Sequence, residues 1–192
     1  MNPLLFETIK IEDGQIKNIL WHNKRCNKSR RELFDKKIEI DLKKYINPPS
    51  KGLYRCRIVY DKTIQSVKYI PYSPKKIESL RVVPSQLDYR YKYNNRDEIN
   101  QLLSDYGEGE IIIEKDGLLT DTSIANIAFY TGKIWITPQK PLLEGTIRAK
   151  MLDKKLLTLE NIRKEELKKF SHFALMNAMI GFQIQKNINI KL

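Results

Sequence analysis

The sequence predicts an α+β fold composed of two small domains. Short apolar runs separated by turn residues occur along the whole chain, and this pattern is typical of β-strands. Only a few stretches have the spacing of apolar residues that favours a helix. By its length of 192 residues alone, the chain could be one ordinary domain or two small ones. Pro84 ends the first group of strand-like runs, so we predict domains at 1–84 and 85–192.

The first domain is predicted to be an antiparallel sheet with one or two helices. Residues 2–20 alternate apolar and polar side chains around Asp13-Gly14, which is the pattern of a β-hairpin with a tight turn. Apolar positions at helical spacing predict a helix over 22–35. Further strands are predicted at Leu53–Tyr60, 63–72 and Leu80–Val83.

The second domain begins with a predicted helix over 97–106 and contains the most informative stretch, 110–148. In this stretch, strand-like runs surround a polar segment at 119–126, and a helix opens at Gly145 and continues to about residue 157. The three runs are Ile111–Glu114, Ile127–Tyr130 and Ile134–Thr137. The later predictions are a strand-to-helix element over 159–169, a strand that leads to Asn177 and a last strand over 182–192.

The polar segment and the helix start that follows it indicate a binding site. A polar cluster between strands is a poor way to build a core and a good way to build a site. The Gly145-Thr146 step at a helix start offers backbone N–H groups and the positive end of a helix dipole. The helix start suits a phosphate group as the ligand.

An ordered set of residues in this stretch carries a family resemblance. In order, they are Asp121, Thr122-Ser123, Asn126, Gly132, Thr137-Pro138 and Leu143–Arg148. The set resembles the fold-type IV pyridoxal-phosphate enzymes, which are the class IV aminotransferases, and implies a D-amino-acid aminotransferase-like fold. The resemblance is dense from Lys92 to Asn177 and thin before Leu80, where the chain is shorter than in typical members and the first domain is therefore reduced.

The resemblance implies that Lys92 is the catalytic residue and that pyridoxal 5′-phosphate is the cofactor. Lys92 precedes Tyr93-Asn94-Asn95-Arg96 and a predicted helix, as the cofactor lysine does in this family. Its amine would form a Schiff base with the cofactor aldehyde and then move the α-proton of the substrate. Considered without the resemblance, Lys92 is a solvated lysine in a tyrosine-rich strand.

The resemblance also implies cofactor contacts around the polar segment. Asp121 would keep the pyridine nitrogen protonated, although the family usually has a glutamate there, which is one methylene longer. The alternative is that Asp121 caps a turn, because Thr-Asp-Thr-Ser is also good turn chemistry. The phosphate side would be formed by Thr122, Ser123, Ile124, Thr146 and Ile147.

A further implied cofactor ligand lies in the first predicted helix. His22, Arg25 and Ser29 have the family's spacing of His, Arg and Ser. Arg25 would reach the cofactor phosphate, for which its planar fork of paired donors is suited. His22 is expected to be a structural hydrogen-bonding residue. The alternative is that Arg25 is one of five basic side chains on an exposed helix.

Three short sequences favour one activity within the family. They are Phe6-Glu7-Thr8, Lys92 to Arg96 and Phe173 to Asn177. They resemble aminodeoxychorismate lyases, which release 4-aminobenzoate and pyruvate from 4-amino-4-deoxychorismate in folate biosynthesis. The resemblance implies substrate contacts for Asn177 and Arg96, and the alternative for Asn177 is a cap or turn role.

Two other functions remain open within the same fold. A class IV amino-acid aminotransferase would use the same first half-reaction. A degenerate family member would keep the fold without the chemistry, and the short first domain and the aspartate at Asp121 motivate this possibility.

The charge distribution suggests a basic surface and not a nucleic-acid site. The net charge is +12, and residues 1–90 carry 20 basic and 10 acidic side chains against 15 and 13 in residues 91–192. The lysines are scattered and are not interleaved with aromatic residues, which disfavours nucleic-acid binding. A solvated basic surface is the better interpretation. A weaker functional interpretation is that the positive charge helps to gather an anionic amino substrate.

Other classes of site are not indicated. Two cysteines and two histidines offer no metal-ligand spacing, and no phosphate loop of the Gly-Lys-Thr type occurs. The low cysteine count favours the cytoplasm, and no apolar run is long enough for a membrane. The resemblance implies a homodimer.

Overall fold

The structure is a computed structural model that describes residues 2–74, 76–107, 109–185 and 189–191. The chain forms two compact units. The first consists of Met1–Pro74 and Tyr91–Asn95, and the second of Lys75–Arg90 and Arg96–Leu192. The domain division after residue 84 stays a prediction. The strand that precedes it belongs to the second unit, because it pairs along its length with a strand at residues 110–115.

The first unit is a four-stranded antiparallel sheet with a helix packed on one face. Its elements are β1 Leu5–Glu12, β2 Gln15–Ile16, α1 Ile19–Phe34, a 3-10 turn at Leu42–Tyr45, β3 Leu53–Tyr60 and β4 Ile64–Pro71. The strand order is β2-β1-β3-β4. Asp13 and Gly14 join β1 to β2, and their φ angles of 47° and 76° are those that a tight Asp-Gly hairpin turn requires. The predicted hairpin turn, helix and following strands are confirmed. The second strand of the hairpin is shorter than predicted, because α1 already begins at Ile19.

Helix α1 and the sheet bury a common apolar core. Side chains in a strand alternate between the two faces, so alternate residues of β1 and β3 face the helix. The core contains Leu5, Ile9 and Ile11 from β1, Cys56, Ile58 and Tyr60 from β3, and Cys26 and Phe34 from α1. Both cysteines are buried free thiols.

Residues 91–95 return to this sheet along the edge of β1. The backbone N–H of Phe6 donates to the carbonyl of Lys92 at 2.9 Å, and the N–H of Asn94 donates to the carbonyl of Leu4 at 2.8 Å. The main chain around Lys92 is therefore held by the sheet, although it precedes the second unit's first helix in the sequence.

The second unit is built on a mixed sheet of nine strands, counted in the described part of the chain. Its elements are β5 Ser79–Pro84, α2 Asp97–Asp105, β6 Glu110–Lys115, β7 Leu118–Thr122, β8 Asn126–Tyr130, β9 Trp135–Pro138, α3 Thr146–Asp153, β10 Thr158–Glu160, a 3-10 helix at Lys164–Lys169, β11 His172–Asn177, β12 Gly181–Gln185 and β13 Asn189–Lys191. The order of hydrogen-bonded strands is β10-β9-β8-β7-β6-β5-β13. Strand β11 also pairs with β8, and β12 pairs with β11.

The polar segment predicted at 119–126 is largely a strand. Leu118–Thr122 forms β7, which pairs with the apolar strand β6, and Leu119, Thr120, Asp121 and Thr122 are all buried. The run is not apolar enough to be recognised as a strand from the sequence. It becomes one because β6 is buried on both faces and supplies the backbone partners. Only residues 123–125 remain as a turn.

Three later predictions change in detail. The helix that opens after Gly145 ends at Asp153, and Lys155 behind it has a φ of 57°, which is outside the helical region. The element predicted over 159–169 is a short strand and a 3-10 helix. The strand predicted over 182–192 is β12 and β13, and residues 186–188 and 192 lie outside the described residues. No helix in the described ranges is long and apolar enough to cross a bilayer.

An aromatic group lies in the core of the second unit. The ring of Phe129, which is 1% exposed, stacks on Phe170 at a centroid distance of 5.0 Å and lies 5.2 Å from Phe173. These contacts fix the end of the 3-10 helix and β11 against β8. The same cluster includes Leu80, Ile112, Leu119, Ile127, Ile136, Ile162 and Leu175.

Candidate functional site

A buried carboxylate in the first unit binds donors from helix α1. The side chain of Glu7 in β1 is completely buried. Its Oε2 atom accepts hydrogen bonds from His22 Nδ1 and from Arg25 Nη2, each at 2.6 Å, and its Oε1 atom accepts one from Arg25 Nε at 2.8 Å. Hydrogen bonds to ionised groups are short and strong in this way. We call these three side chains the Glu7 cluster.

The charges in the Glu7 cluster follow from burial and pairing. Burial raises the pKa of Glu7, but the charge of Arg25 and the bonds from His22 and Arg25 outweigh it and lower the pKa to about 2. Burial lowers the pKa of His22, and its bond to Glu7 opposes this only in part. Neutral His22 therefore donates its Nδ1 hydrogen to an ionised carboxylate. Its Nε2 atom is buried and has no hydrogen-bond partner among the residues that the structure describes.

Arg25 lies on the sheet side of α1 and is not a solvated surface residue. Its side chain is 12% exposed. Burial lowers the pKa of its guanidinium, but the neighbouring Glu7 carboxylate more than compensates and raises it. Glu7 binds the Nε and Nη2 edge, so the Nη1 atom is outside this pair. His22 forms a buried hydrogen bond, as expected, while its structural role and the phosphate contact of Arg25 stay predictions.

Lys92 lies against the residue next to Glu7. Its Nζ atom is 4.5 Å from the centroid of the Phe6 ring, and the Cζ atom of Arg57 is 3.9 Å from the same centroid. A cation over an aromatic ring is attracted by the electrons of the ring face. Successive side chains in a strand point to opposite faces, so Phe6 contacts Lys92 on one face of β1 while Glu7 holds Arg25 on the other. Lys92 is partly buried, which separates it from an ordinary solvated lysine.

In the second unit, Asp121 is a buried carboxylate that forms no ion pair with any side chain in the described part of the chain. It is 3% exposed. Its Oδ1 atom accepts a hydrogen bond from Asn126 Nδ2 at 2.7 Å, and its Oδ2 atom accepts one from the backbone N–H of Leu143 at 2.9 Å. Burial raises the pKa of Asp121 to about 6, although these bonds and the charge of Arg148 act in the opposite direction. Such a carboxylate favours a cationic ligand.

Asn126 joins Asp121 to the segment that leads into helix α3. Its Nδ2 atom also donates to the carbonyl of Leu143 at 2.8 Å. Gly145 approaches Asn126 so closely that a Cβ atom there would overlap Asn126 Oδ1. The φ of Gly145 is −70°, which any residue adopts, so the glycine is required for space and not for backbone freedom.

Residues 122–125 form a tight turn between β7 and β8, here called the 122–125 turn. The Thr122 hydroxyl oxygen accepts the backbone N–H of Ala125 at 3.0 Å and that of Ile124 at 3.3 Å. This hydroxyl and the Ile124 N–H are therefore used inside the turn. The hydroxyl of Ser123 is buried and has no hydrogen-bond partner within the described ranges. Of the hydroxyls implied at the phosphate in this turn, that of Ser123 is available to a ligand.

Three side chains hold the 122–125 turn from outside. The Oε1 atom of Glu110 accepts the N–H of Ser123 at 3.1 Å, and Arg96 Nη2 donates to the Ser123 carbonyl at 2.8 Å. Asn177 Nδ2 donates to the Ile124 carbonyl at 3.3 Å, and its Oδ1 atom caps the turn that follows β11. Arg96 and Asn177, for which the resemblance implies substrate contacts, thus bind backbone of the turn. Their substrate contacts stay predictions.

Helix α3 presents a second group of donors. It begins at Thr146, directly after Gly145, and both Thr146 and Ile147 are buried. The first backbone N–H groups of a helix have no partner within the helix, and the positive end of its dipole favours an anion. No acidic side chain lies in the first turn to compete for that place.

Two buried carboxylates that bind the candidate site residues, Glu7 and Glu110, were not singled out from the sequence. Glu110 lies at the start of an apolar run, and no sequence pattern around it indicates a buried hydrogen-bonding role. For Glu7 such a pattern exists, because it occupies an inward-facing position in the alternating series of Leu5, Ile9 and Ile11. A charged residue at a core position of a strand indicates a buried partner.

Comparisons with known proteins agree with this architecture. The family model for class IV amino-transferases matches residues 4–188. An uncharacterized protein of Haemophilus influenzae strain Rd is 37% identical over an alignment of 184 residues, and the match covers 92% of this chain and 98% of that protein.

Solved structures have the same fold. The crystal structure of a candidate 4-amino-4-deoxychorismate lyase from Haemophilus somnus 129pt has a TM-score of 0.84 and 39% identity, over 94% of this chain and 98% of that one. A hypothetical aminotransferase from Mycobacterium tuberculosis in a PLP-bound form has a TM-score of 0.77 and 16% identity, over 97% of this chain and 81% of that one. The α+β fold predicted from the sequence, that of the fold-type IV pyridoxal-phosphate enzymes, is confirmed. The short length is shared with the Haemophilus somnus protein.

The contact between Gly145 and Asn126 gives a prediction about stability. Gly145→Ala is expected to lower the free energy of unfolding by roughly 1–3 kcal/mol, because the added methyl overlaps the Asn126 side chain. Urea unfolding of wild type and variant measures this loss. In an Asn126→Ala background, where the obstructing side chain is absent, Gly145→Ala should cost much less. An equal cost in both backgrounds would show that the close contact is not the cause.

The Glu7 cluster gives a prediction about pH. The pKa of Glu7 is about 2 in the folded chain against 4.5 for an unperturbed glutamate. A depressed carboxylate pKa stabilises the fold above the unfolded value, and this contribution is lost as the pH falls from 4.5 toward 2. Glu7→Gln should therefore destabilise the protein by up to roughly 3 kcal/mol at pH 7, and the difference should shrink toward pH 3.

Urea unfolding at a series of pH values measures this dependence. Glu12→Gln on the same strand is the matched control, since Glu12 is solvent-accessible and pairs with Lys10 and Lys17 at the surface. It should change stability little at any pH. A Glu7→Gln cost that is the same at pH 3 and pH 7 would contradict the charge assignment of the cluster.

Proposed function

The chain belongs to the class IV aminotransferase family, and we propose that it is a pyridoxal-phosphate enzyme that cleaves 4-amino-4-deoxychorismate to 4-aminobenzoate and pyruvate. The observation that carries this proposal is the 39% identity to the Haemophilus somnus candidate lyase over nearly the full length of both chains. An amino-acid aminotransferase is the second candidate, because the matching family model describes that activity. As the resemblance implies, the proposal includes a homodimer and a small anionic amino substrate.

The donors near the turn and the helix start fit the cofactor phosphate. Ser123 offers a buried hydroxyl without a partner among the described residues, and Thr146 and Ile147 offer backbone N–H groups at a helix start without a competing carboxylate. In this proposal they bind the phosphate, and Arg25 binds it with its guanidinium. Thr122 and Ile124 contribute by shaping the turn, because the Thr122 hydroxyl is engaged there. A protein of the same fold from Mycobacterium tuberculosis has a PLP-bound form.

The environment of Asp121 fits the protonated ring nitrogen of the cofactor. Its carboxylate oxygens accept hydrogen bonds from Asn126 and from the backbone N–H of Leu143, and a carboxylate has about four lone-pair sites, so another donor can bind. A pKa raised from 3.8 to about 6 means that the ionised group costs stability at neutral pH, by roughly 3 kcal/mol at most. A cationic ring nitrogen beside it would remove much of this cost. Asp121 thus suits the role that a glutamate usually has in the family.

Lys92 is the proposed acid and base of the reaction. When bound, pyridoxal phosphate supplies an electron sink for the carbon that bears the substrate amine. The Lys92 amine would take the proton from that carbon. The Phe6 ring and the backbone bonds of Lys92 and Asn94 to β1 limit the positions that this amine can occupy. The lyase reaction then differs from transamination in the loss of pyruvate, which makes the substrate ring aromatic.

The cofactor and the lysine can be tested together by absorbance. Purified protein mixed with pyridoxal phosphate should show a visible absorbance band that survives gel filtration, because the Lys92 amine holds the aldehyde covalently. Lys92→Ala should lack the band. Lys68→Ala, which removes an exposed lysine of the same unit, is the control and should retain it.

The outcome then directs the activity assays. A band in the wild type leads to measurement of pyruvate release from 4-amino-4-deoxychorismate and of amino transfer to 2-oxo acids. Pyruvate release that depends on Lys92 supports the lyase, and amino transfer alone would favour the second candidate. A wild type without a band would overturn both and indicate a family member that keeps the fold without the chemistry.

Asp121 can be tested by changing its charge and its length. Asp121→Asn should lower kcat by roughly 100-fold, because a neutral amide does not hold the ring nitrogen protonated. Asp121→Glu restores the charge and should recover part of the rate. Steady-state kinetics with saturating cofactor measure both. Wild-type kcat in Asp121→Asn would exclude the proposed role.

A further inference from the structure

We propose that Glu7 is a positioning residue for the phosphate group of the cofactor and acts through Arg25. This inference rests on the proposed function, in which Arg25 binds that phosphate. It assigns to a buried strand residue a specific effect on ligand binding that goes beyond its effect on stability.

The first argument is the geometry of the pair. Glu7 binds the side edge of the Arg25 guanidinium through Nε and Nη2, at 2.8 Å and 2.6 Å. Because the guanidinium is planar, two bonds to one carboxylate fix both its plane and its rotation in that plane. The Nη1 atom lies outside this pair, so its direction is set by the carboxylate.

The second argument is the rigidity of the carboxylate itself. His22 Nδ1 donates to Glu7 Oε2 at 2.6 Å, and both side chains are fully buried. The carboxylate is held by three donors that all come from α1 and by the backbone of a central strand. Neither oxygen can turn away from Arg25 without breaking a charge-assisted hydrogen bond in a buried site.

The third argument is that the same strand also sets the position of Lys92. Phe6 precedes Glu7, and its backbone N–H and its ring both contact Lys92. Adjacent residues in a strand point to opposite faces at a fixed distance along the chain. A shift of β1 would therefore move Arg25 and Lys92 together, and the distance between the two side chains would be preserved. Of the neighbouring residues Phe6 and Glu7, only Phe6 contacts Lys92, so a change of the charge of Glu7 leaves the Lys92 contacts in place.

A purely structural role for Glu7 would have a different consequence. Loss of a buried ion pair that only stabilises the first unit would weaken binding of any ligand through partial unfolding. Loss of a positioning group would weaken binding only of ligands that carry the phosphate. Pyridoxal, which has the aldehyde and the ring without the phosphate, separates these two cases.

The experiment compares dissociation constants of pyridoxal phosphate and pyridoxal by absorbance titration, in wild type, Glu7→Gln, Arg25→Gln and the double variant. Glu7→Gln should weaken binding of pyridoxal phosphate by roughly tenfold or more, because the amide replaces one acceptor by a donor that repels Arg25, and should change pyridoxal binding less than about twofold. Arg25→Gln should show the same selectivity. The double variant should be no weaker than Arg25→Gln alone, since both act on one contact.

Controls keep the result decisive. Glu12→Gln should bind both ligands as the wild type does. Glu7→Asp keeps the charge and shortens the reach, so it should show a smaller phosphate-selective loss, and it decides the matter if Glu7→Gln does not fold. The thermal shift given by inorganic phosphate to the cofactor-free protein is an independent readout and should shrink in the same variants.

Failure of this inference and failure of the proposed function would give different results. Equal weakening of both ligands by the Glu7 variants, or unchanged binding of pyridoxal phosphate, would overturn this inference and leave the proposed function intact. If Arg25→Gln weakens binding of pyridoxal phosphate no more than binding of pyridoxal, Arg25 does not bind the phosphate. That result would also overturn this inference. A wild type that binds neither aldehyde would overturn the proposed function itself.

Discussion

The ionised carboxylate of Glu7 is the constraint on which the polar side of the first unit depends. A charge buried this completely is tolerated only when donors surround it, since an unpaired carboxylate in a protein interior costs several kcal/mol. His22 and Arg25 are three residues apart, so they lie on one face of α1 and reach the carboxylate together. The pairing fixes the rotation of the helix on the sheet. It also keeps a cationic guanidinium in the interior, where apolar packing alone would exclude it.

In the second unit, backbone groups of the 122–125 turn also need hydrogen-bond partners. All residues of the 122–125 turn except Ile124 are buried, so most of its carbonyl and N–H groups need partners. Arg96, Glu110 and Asn177 supply partners from three different elements. Asn126 links Asp121 to the segment before α3 in the same manner. Networks of this kind hold a geometry more strictly than apolar contacts, because each bond has a direction. The apolar core around Phe129 provides the stability behind them.

Much of the fold could be predicted from the sequence, and the reasons are local. The hairpin at Asp13-Gly14, the strand at Leu53–Tyr60 and the helix after residue 97 follow from turn chemistry and from apolar periodicity. Strand β7 could not be predicted, because Thr120, Asp121 and Thr122 become a strand only beside β6. His22 was predicted as a hydrogen-bonding residue and Arg25 as a site residue, but their pairing with Glu7 depends on how α1 packs on the sheet and could not be predicted.

The sequence by itself determined the order of the elements and the set of residues that places the chain in its family, because periodicity, turn residues and short motifs are properties of neighbouring positions. The tertiary structure alone decided which of these residues are engaged and which are available. The Thr122 hydroxyl is used within its own turn, whereas that of Ser123 has no partner among the described residues. The opposite pKa shifts of Glu7 and Asp121 were decided in the same way. Both carboxylates are buried, and only contacts between residues far apart in the chain determine whether a cation lies beside them.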